Sequence, residues 1–118
     1  MRVRSSRLRA MSDQRTVLLH VSDRPDDIAR AIGIAHTLHD ARPEYSIRII
    51  VNGPAVRGAT RDADPLEVPG FASIEICEGG LRGRGIPVDS LQPGVVTTAS
   101  AAVAIADAQF DGAAYNRV

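Results

Sequence analysis

The residues best suited to chemistry fall where the short apolar runs of this 118-residue chain end. His20, Asn52 and Cys77 close or follow three such runs, and Ser100 follows a fourth. In an open sheet flanked by helices, ligands collect at the carboxyl ends of the strands. These four side chains are therefore the first candidates for a binding or catalytic site.

Cys77 is the strongest intrinsic nucleophile among them. It lies between an apolar run and a Gly-Gly pair that leads into a helical segment, and backbone N–H groups at a helix start stabilise a thiolate. Arg82 and Arg84 would add positive potential beside it. The flanking Glu75 and Glu78 would instead favour the neutral thiol. The alternative is that Cys77 is a small apolar residue buried at a strand end.

The other polar candidates have structural explanations as well. His20 suits a base or an orienting group, and equally a hydrogen-bonded histidine of the core. Asn52 opens an Asn-Gly-Pro sequence, which is favoured in tight turns for backbone reasons. His36 and His39 are three residues apart on a predicted helix, without a third ligand at a recognised spacing. No metal site is predicted.

Composition excludes several classes of function. All 14 basic residues are arginine, which rules out a Schiff-base lysine and a phosphate-loop lysine. The 14 acidic residues balance them, so neither nucleic acid nor a membrane is predicted as a partner. One cysteine permits no internal disulfide and suits a reducing compartment. We therefore expect a cytoplasmic protein, and no cofactor is indicated.

The first 14 residues differ from the rest of the chain. They contain several arginines and no apolar stretch long enough for a signal peptide or a membrane span. An arginine-rich polar segment buries too little surface to offset the entropy lost on ordering. We therefore predict a flexible basic tail over residues 1–14 and a single domain over residues 15–118.

The apolar patterns that must position these residues alternate between strand and helix. Strands are predicted at 16–21, 47–51, 73–77 and 95–98, and a last short one within 113–118. Helices are predicted at about 26–40 and 100–110, with shorter helical segments after residue 55 and at 81–84. In the 100–110 helix, one face carries Ala99, Ala102, Val103, Ala106 and Phe110. This alternation predicts a three-layer α/β/α sandwich around a mostly parallel sheet of about five strands.

Several short motifs follow one another in a characteristic order. They are the segments 51–56, 76–78, 81–86 and 91–95, followed by Gln109, Gly112 and Tyr115. Together they resemble the DsrE/DsrF-like (YchN-like) family, in particular its short branch, over roughly residues 16–118. The resemblance implies a five-stranded sheet between helices and assembly of identical chains as trimers or hexamers.

The resemblance also implies a function for Cys77. The best-understood relatives are sulfur-relay proteins whose carrier cysteine lies at a strand end before an Arg-Gly segment, the position that Cys77 matches. The hypothesis is a sulfur-carrier or sulfurtransferase-like protein that holds sulfane sulfur as a persulfide on Cys77, with donor and acceptor proteins as partners. Residues expected to support binding are His20, Asn52, Arg82, Arg84 and Ser100. The alternative is a non-catalytic homo-oligomeric module that binds a small ligand or a protein, with Cys77 structural.

Overall fold

Five strands form a single sheet in the computed structural model of the chain, which describes residues 15–118. The predicted basic tail, residues 1–14, lies outside the described residues. The strands are β1 (Thr16–Val21), β2 (Ser46–Val51), β3 (Ala72–Cys77), β4 (Val96–Thr98) and β5 (Ala114–Arg117). Every pairing is parallel, in the order β4-β3-β2-β1-β5. The carboxyl ends of all five strands therefore meet at one edge.

Helices cover both faces of the sheet. They are α1 (Asp27–Ala41), α2 (Glu78–Arg82), α3 (Ala101–Phe110) and the 3₁₀ helices Gly53–Ala59 and Val88–Ser90. The first face packs against α1 and the 53–59 helix, and the opposite face packs against α3. The predicted three-layer α/β/α sandwich is confirmed. No helix within residues 15–118 is long and apolar enough to cross a membrane.

The start of α2 differs from the sequence prediction. A helical turn was expected at 81–84 after a Gly-Gly turn, whereas α2 begins at Glu78 and includes both glycines. A Cβ at Gly80 would lie only 3.2 Å from Cγ1 of Val56 in the 53–59 helix. Gly80 therefore allows close approach between two helices, which a turn interpretation of the sequence does not anticipate.

Alternation along β1 and β2 divides the core between the two faces. Val17, Leu19 and Val21 belong to the cluster under α1, whereas Leu18 and Ile50 belong to the cluster under α3. Each of these side chains is at most 5% exposed. Burial on both faces explains why the central strands are nearly continuous apolar runs.

Helix α3 rests on the sheet through small residues. Ala101 and Ala108 are buried, and Ala104 and Ile105 pack against the same cluster. The apolar face predicted from the sequence lies on the other side, where Phe110 is 89% exposed. Because the helix is apolar almost all round, periodicity does not select the buried side. Alanines let the helix approach the sheet closely, and this packing selects it.

The connection from β2 to β3 follows a fixed path because Gln92 holds it. The Gln92 Nε2 group donates to the carbonyl oxygens of Thr60 and Asp64 at 2.9 and 3.0 Å. Its Oε1 accepts the backbone N–H of Leu66 at 2.8 Å. One side chain from the next connection thus satisfies three backbone groups of this irregular segment.

Gly58 and Gly33 provide a matched test of how closely the 53–59 helix is packed. A Cβ at Gly58 would lie 2.4 Å from the carbonyl oxygen of Pro25, whereas one at Gly33 in α1 would meet nothing within 4 Å. Gly58→Ala should lower the free energy of unfolding by about 2–3 kcal/mol, because the backbone at Pro25 or at residue 58 must move to make room for the added methyl group. Gly33→Ala should raise it by up to about 1 kcal/mol through helix propensity. Urea denaturation followed by circular dichroism measures both, and equal stability of the two variants would contradict the packing.

Candidate functional site

Cys77 ends β3, and α2 begins at the next residue. Its side chain is 8% exposed and packs in the cluster under α3 with Leu18, Ile50 and Ala108. The backbone N–H of Ala101, the first residue of α3, donates to Cys77 Sγ at 3.4 Å. The sulfur is therefore both packed against apolar side chains and hydrogen-bonded at the start of a helix.

The β4 strand and Ser100 bring that N–H group to the sulfur. Thr98, the last residue of β4, pairs with Cys77 in the sheet, so α3 starts beside it. Ser100 caps α3, its Oγ accepting the N–H of Val103 at 3.4 Å. The structure thus gives Ser100 a helix-capping role, and the neighbouring Ala101 touches the sulfur instead. Reasoning from side chains missed Ala101, although the capping signal at Ser100 pointed to a helix start.

The carboxylate of Glu78 is bound on the far side of the strand. Its Oε2 accepts the hydroxyl of Thr97 at 2.8 Å. Thr97 pairs with Ile76, so its side chain points to the opposite face from that of Cys77. The Glu78 carboxylate, a negative charge that the sequence places next to the thiol, is thus hydrogen-bonded to a residue of β4.

The two candidate arginines behave differently. A Cβ built on Gly79 would lie 3.7 Å from Cys77 Sγ and 3.8 Å from Arg82 Nη2, so the sulfur and this guanidinium border the same small space. Arg84 Nη1 instead donates to the carbonyl oxygen of Gly80 at 3.2 Å. Arg82 is therefore the predicted arginine that α2 brings towards the thiol.

An ion pair lies on the same sheet face below Cys77. Arg48 Nε and Nη2 donate to the two carboxylate oxygens of Glu75, both at 2.8 Å, and the Ser73 hydroxyl donates to Oε2 at 2.7 Å. Burial raises the pKa of Glu75, but these hydrogen bonds and the charge of Arg48 outweigh it, so the pKa lies below its usual value. The hydrogen bond to Glu75 in turn raises the pKa of Arg48 against the effect of burial.

His20 is hydrogen-bonded through both ring nitrogens. Its Nε2 lies 2.9 Å from Asn52 Oδ1 and its Nδ1 lies 2.7 Å from the Tyr115 hydroxyl oxygen. A neutral ring protonated on Nε2 donates to Asn52 and accepts from Tyr115. The structure therefore joins two predicted residues, and adds a tyrosine from β5 that the site prediction lacked.

This three-residue network neighbours the cysteine in the sheet. Val51 and Ile76 form the last pair of β2 and β3, so Asn52 and Cys77 occupy the next positions on adjacent strands. The described hydrogen bonds do not connect the network to the sulfur. The two features therefore share the carboxyl edge of the sheet, as the sequence predicted, without direct contact.

The two helix histidines pack against an aromatic ring. His39 stacks on Phe71 with ring centroids 3.9 Å apart, and His36 meets the same ring edge-on at 5.1 Å. Within residues 15–118, no three or more histidine, cysteine or acidic side chains are grouped to hold a metal ion. In the described structure, His36 and His39 therefore have a packing role against Phe71.

Comparison with known proteins identifies the fold. No protein-family model and no curated protein matches the chain. Among solved structures, MTH1491 of Methanobacterium thermoautotrophicum, of unknown function, has a TM-score of 0.73 at 23% identity, covering 88% of this chain and 98% of that one. The ychN protein of E. coli has a TM-score of 0.69 at 16% identity, covering 88% and 99%. BT1422 of Bacteroides thetaiotaomicron, of unknown function, has a TM-score of 0.59 at 14% identity, covering 91% and 97%.

At these identities the likeness concerns the fold. The chain has a DsrE-like fold, as seen in the ychN protein, which agrees with the fold class and the five strands predicted from the sequence. The nearly complete coverage of each structure means that the likeness extends over the whole domain.

The Glu75 ion pair makes stability depend on pH in the acid range. Glu75→Gln should lower the free energy of unfolding by about 1–2 kcal/mol at neutral pH, because Arg48 loses its half-buried partner. Because the pKa of Glu75 is lower in the folded than in the unfolded chain, its contribution is present above the unfolded-state value and lost as pH falls through the folded-state value.

Denaturation of both proteins across that pH range measures the effect. The difference between them should shrink with acidification. The matched control is Glu44→Gln at an exposed position, which should change stability by less than about 0.5 kcal/mol at any pH. A difference for Glu75→Gln that persists undiminished below the folded-state pKa would refute the assignment.

Proposed function

We propose that the chain is a sulfur carrier that holds sulfane sulfur as a persulfide on Cys77. The observation that carries the proposal is the position of Sγ, at the carboxyl edge of the sheet with the Ala101 N–H directed at it. The motif resemblance to the DsrE/DsrF-like family and the fold shared with the ychN protein support it.

The transfer needs no redox partner beyond a donor persulfide and an acceptor. The Cys77 thiolate attacks the outer sulfur of a donor protein's persulfide, the S–S bond of the donor breaks, and the donor leaves as a thiolate that takes up the proton lost by Cys77. A nucleophile of the acceptor then attacks the outer sulfur, which releases the Cys77 thiolate. The Ala101 N–H and the Arg82 charge stabilise sulfur-centred negative charge at both stages.

The absence of a side chain at residue 79 leaves room for the second sulfur. A Cβ there would lie within 4 Å of both Cys77 Sγ and Arg82 Nη2. Glycine leaves this space for a sulfur bonded to Sγ, in the neighbourhood of the Arg82 charge. Limited exposure of Sγ, at 8% for the residue, shields the persulfide from adventitious thiols.

Loading of sulfur should depend on Cys77. Intact mass spectrometry after incubation with a sulfane-sulfur donor should show a gain of one sulfur atom that reductant removes. Cys77→Ser should abolish the gain and keep the fold, because a serine oxygen still accepts the Ala101 N–H. A serine variant that loads like the native chain would refute the carrier role.

The two arginines supply the matched control for that experiment. Arg82→Gln should slow loading about tenfold or more, because a charge beside the thiolate is lost. Arg84→Gln removes a hydrogen bond to the Gly80 carbonyl and should load at the native rate. Equal rates for the two variants would contradict the placement of Arg82 at the sulfur.

A second candidate function is a binding module in which Cys77 is structural. The observation that favours it is the packing of Cys77 among Leu18, Ile50 and Ala108, with 8% of its surface exposed. On this alternative a thiol reagent reacts slowly with the folded protein and rapidly after unfolding. Rapid reaction in the folded state excludes it.

We propose that identical chains associate through the outer face of α3. The family resemblance implies that they form trimers or hexamers. Phe110 and Val103 on this face are 89% and 59% exposed, and Val96 on the same side of the sheet is 52% exposed. An apolar surface of this kind is stabilised by burial against another chain. We also propose a cytoplasmic location, because a single free cysteine suits a reducing compartment.

Phe110→Ser should shift the protein towards the monomer in sedimentation equilibrium, raising the dissociation constant at least tenfold, because burial of a phenyl ring is lost. Val88→Ser is the matched control, since Val88 is 53% exposed in the separate 3₁₀ helix 88–90. A native chain that stays monomeric at all concentrations would refute the interface.

A further inference from the structure

A pocket of about 610 Å³ lies between the connection from β2 to β3 and the connection from β3 to β4. Both connections pack with the α1 side of the sheet through residues such as Ala59 and Leu91. Cys77 belongs to the cluster on the other face. The pocket is therefore separate from the proposed sulfur site, and its size falls within the range of small-molecule pockets.

The walls of the pocket are fixed by backbone hydrogen bonds between the two connections. The N–H of Arg61 donates to the carbonyl oxygen of Ser90 at 2.9 Å, and the N–H of Gln92 donates to that of Ala59 at 2.8 Å. Thr60 and Leu91 form an antiparallel bridge between these bonds. The backbone on both sides of the pocket is thus held in place before any ligand arrives.

Two arginines supply the free hydrogen-bond donors of the pocket. Arg57 and Arg61 both line it, and neither takes part in an ion pair within residues 15–118. The carboxylate of Asp62 also lines it, which leaves one positive charge in excess.

The two hydroxyl groups of the pocket are already used as donors. The Thr60 hydroxyl donates to the carbonyl oxygen of Arg57 at 3.0 Å, and the Ser90 hydroxyl donates to that of Pro87 at 2.6 Å. A ligand therefore meets guanidinium groups as its principal hydrogen-bond donors. Guanidinium groups favour oxyanions such as phosphate through paired charge-assisted hydrogen bonds.

We propose that this pocket binds a small phosphate monoester. Arg57 and Arg61 hold the phosphate through charge-assisted hydrogen bonds from their guanidinium groups. Ile86 and Pro87 form an apolar wall against which the organic part of the ligand lies. The volume exceeds what bare phosphate fills, so both parts of the ligand contribute to affinity.

Isothermal titration calorimetry with adenosine 5′-monophosphate as the probe tests this directly. Saturable binding is expected, tighter than that of inorganic phosphate or of adenosine alone. Arg57→Gln and Arg61→Gln should each raise the dissociation constant about tenfold or more, the effect of losing one charge-assisted pair. Arg30→Gln, at an exposed position of α1 outside the pocket, is the matched control and should bind like the native chain.

Three outcomes would overturn the proposal. They are the absence of saturable binding of the probe, unchanged binding after both arginines are replaced together, and equal affinity for inorganic phosphate alone, which would leave no role for the Ile86 and Pro87 wall. Circular dichroism of each variant separates a lost contact from a lost fold. Sulfur loading on Cys77 should be unaffected by the Arg57 and Arg61 substitutions, because they lie outside the sulfur site.

Discussion

Parallel pairing of all five strands is the constraint on which the rest of the structure depends. It requires every connection to return across the sheet, so helices or irregular segments cover both faces. It also brings every strand's carboxyl end to one edge, where His20, Asn52 and Cys77 stand on three adjacent strands. Backbone hydrogen bonds across the sheet thus assemble residues that are far apart in the sequence.

The two faces of the sheet are covered differently, and this separates two kinds of site. On one face a single helix, α3, lies over Cys77 and presents a backbone N–H to its sulfur. On the other face α1 and two long connections lie side by side, and a pocket with two arginines forms between the connections. Because the buried centre of the sheet separates them, the chemistry proposed for Cys77 and ligand binding in the pocket are structurally independent.

The sequence was most informative where one physical rule acts locally. Apolar runs predicted four of the five strands, a last short strand was predicted within residues 113–118, and Ser100 marked the start of α3, which begins at the next residue. The prediction was wrong for the start of α2, because the Gly79-Gly80 pair is typical of a turn. The structure shows instead that Gly80 lies close to the 53–59 helix, where a side chain would not fit without a shift. The apolar face predicted for α3 is the exposed one, because a helix apolar almost all round has no preferred face of its own.

The sequence by itself determined the fold class and the edge at which the polar residues gather, since both follow from periodicity and from the geometry of parallel sheets. Only the tertiary structure decided which groups touch. The Ala101 N–H on the sulfur, the Thr97 hydroxyl on Glu78 and the Tyr115 hydroxyl on His20 all join residues distant in sequence. Contacts of this kind depend on the register between strands and on the seating of helices, which packing of the whole core sets and no local pattern records.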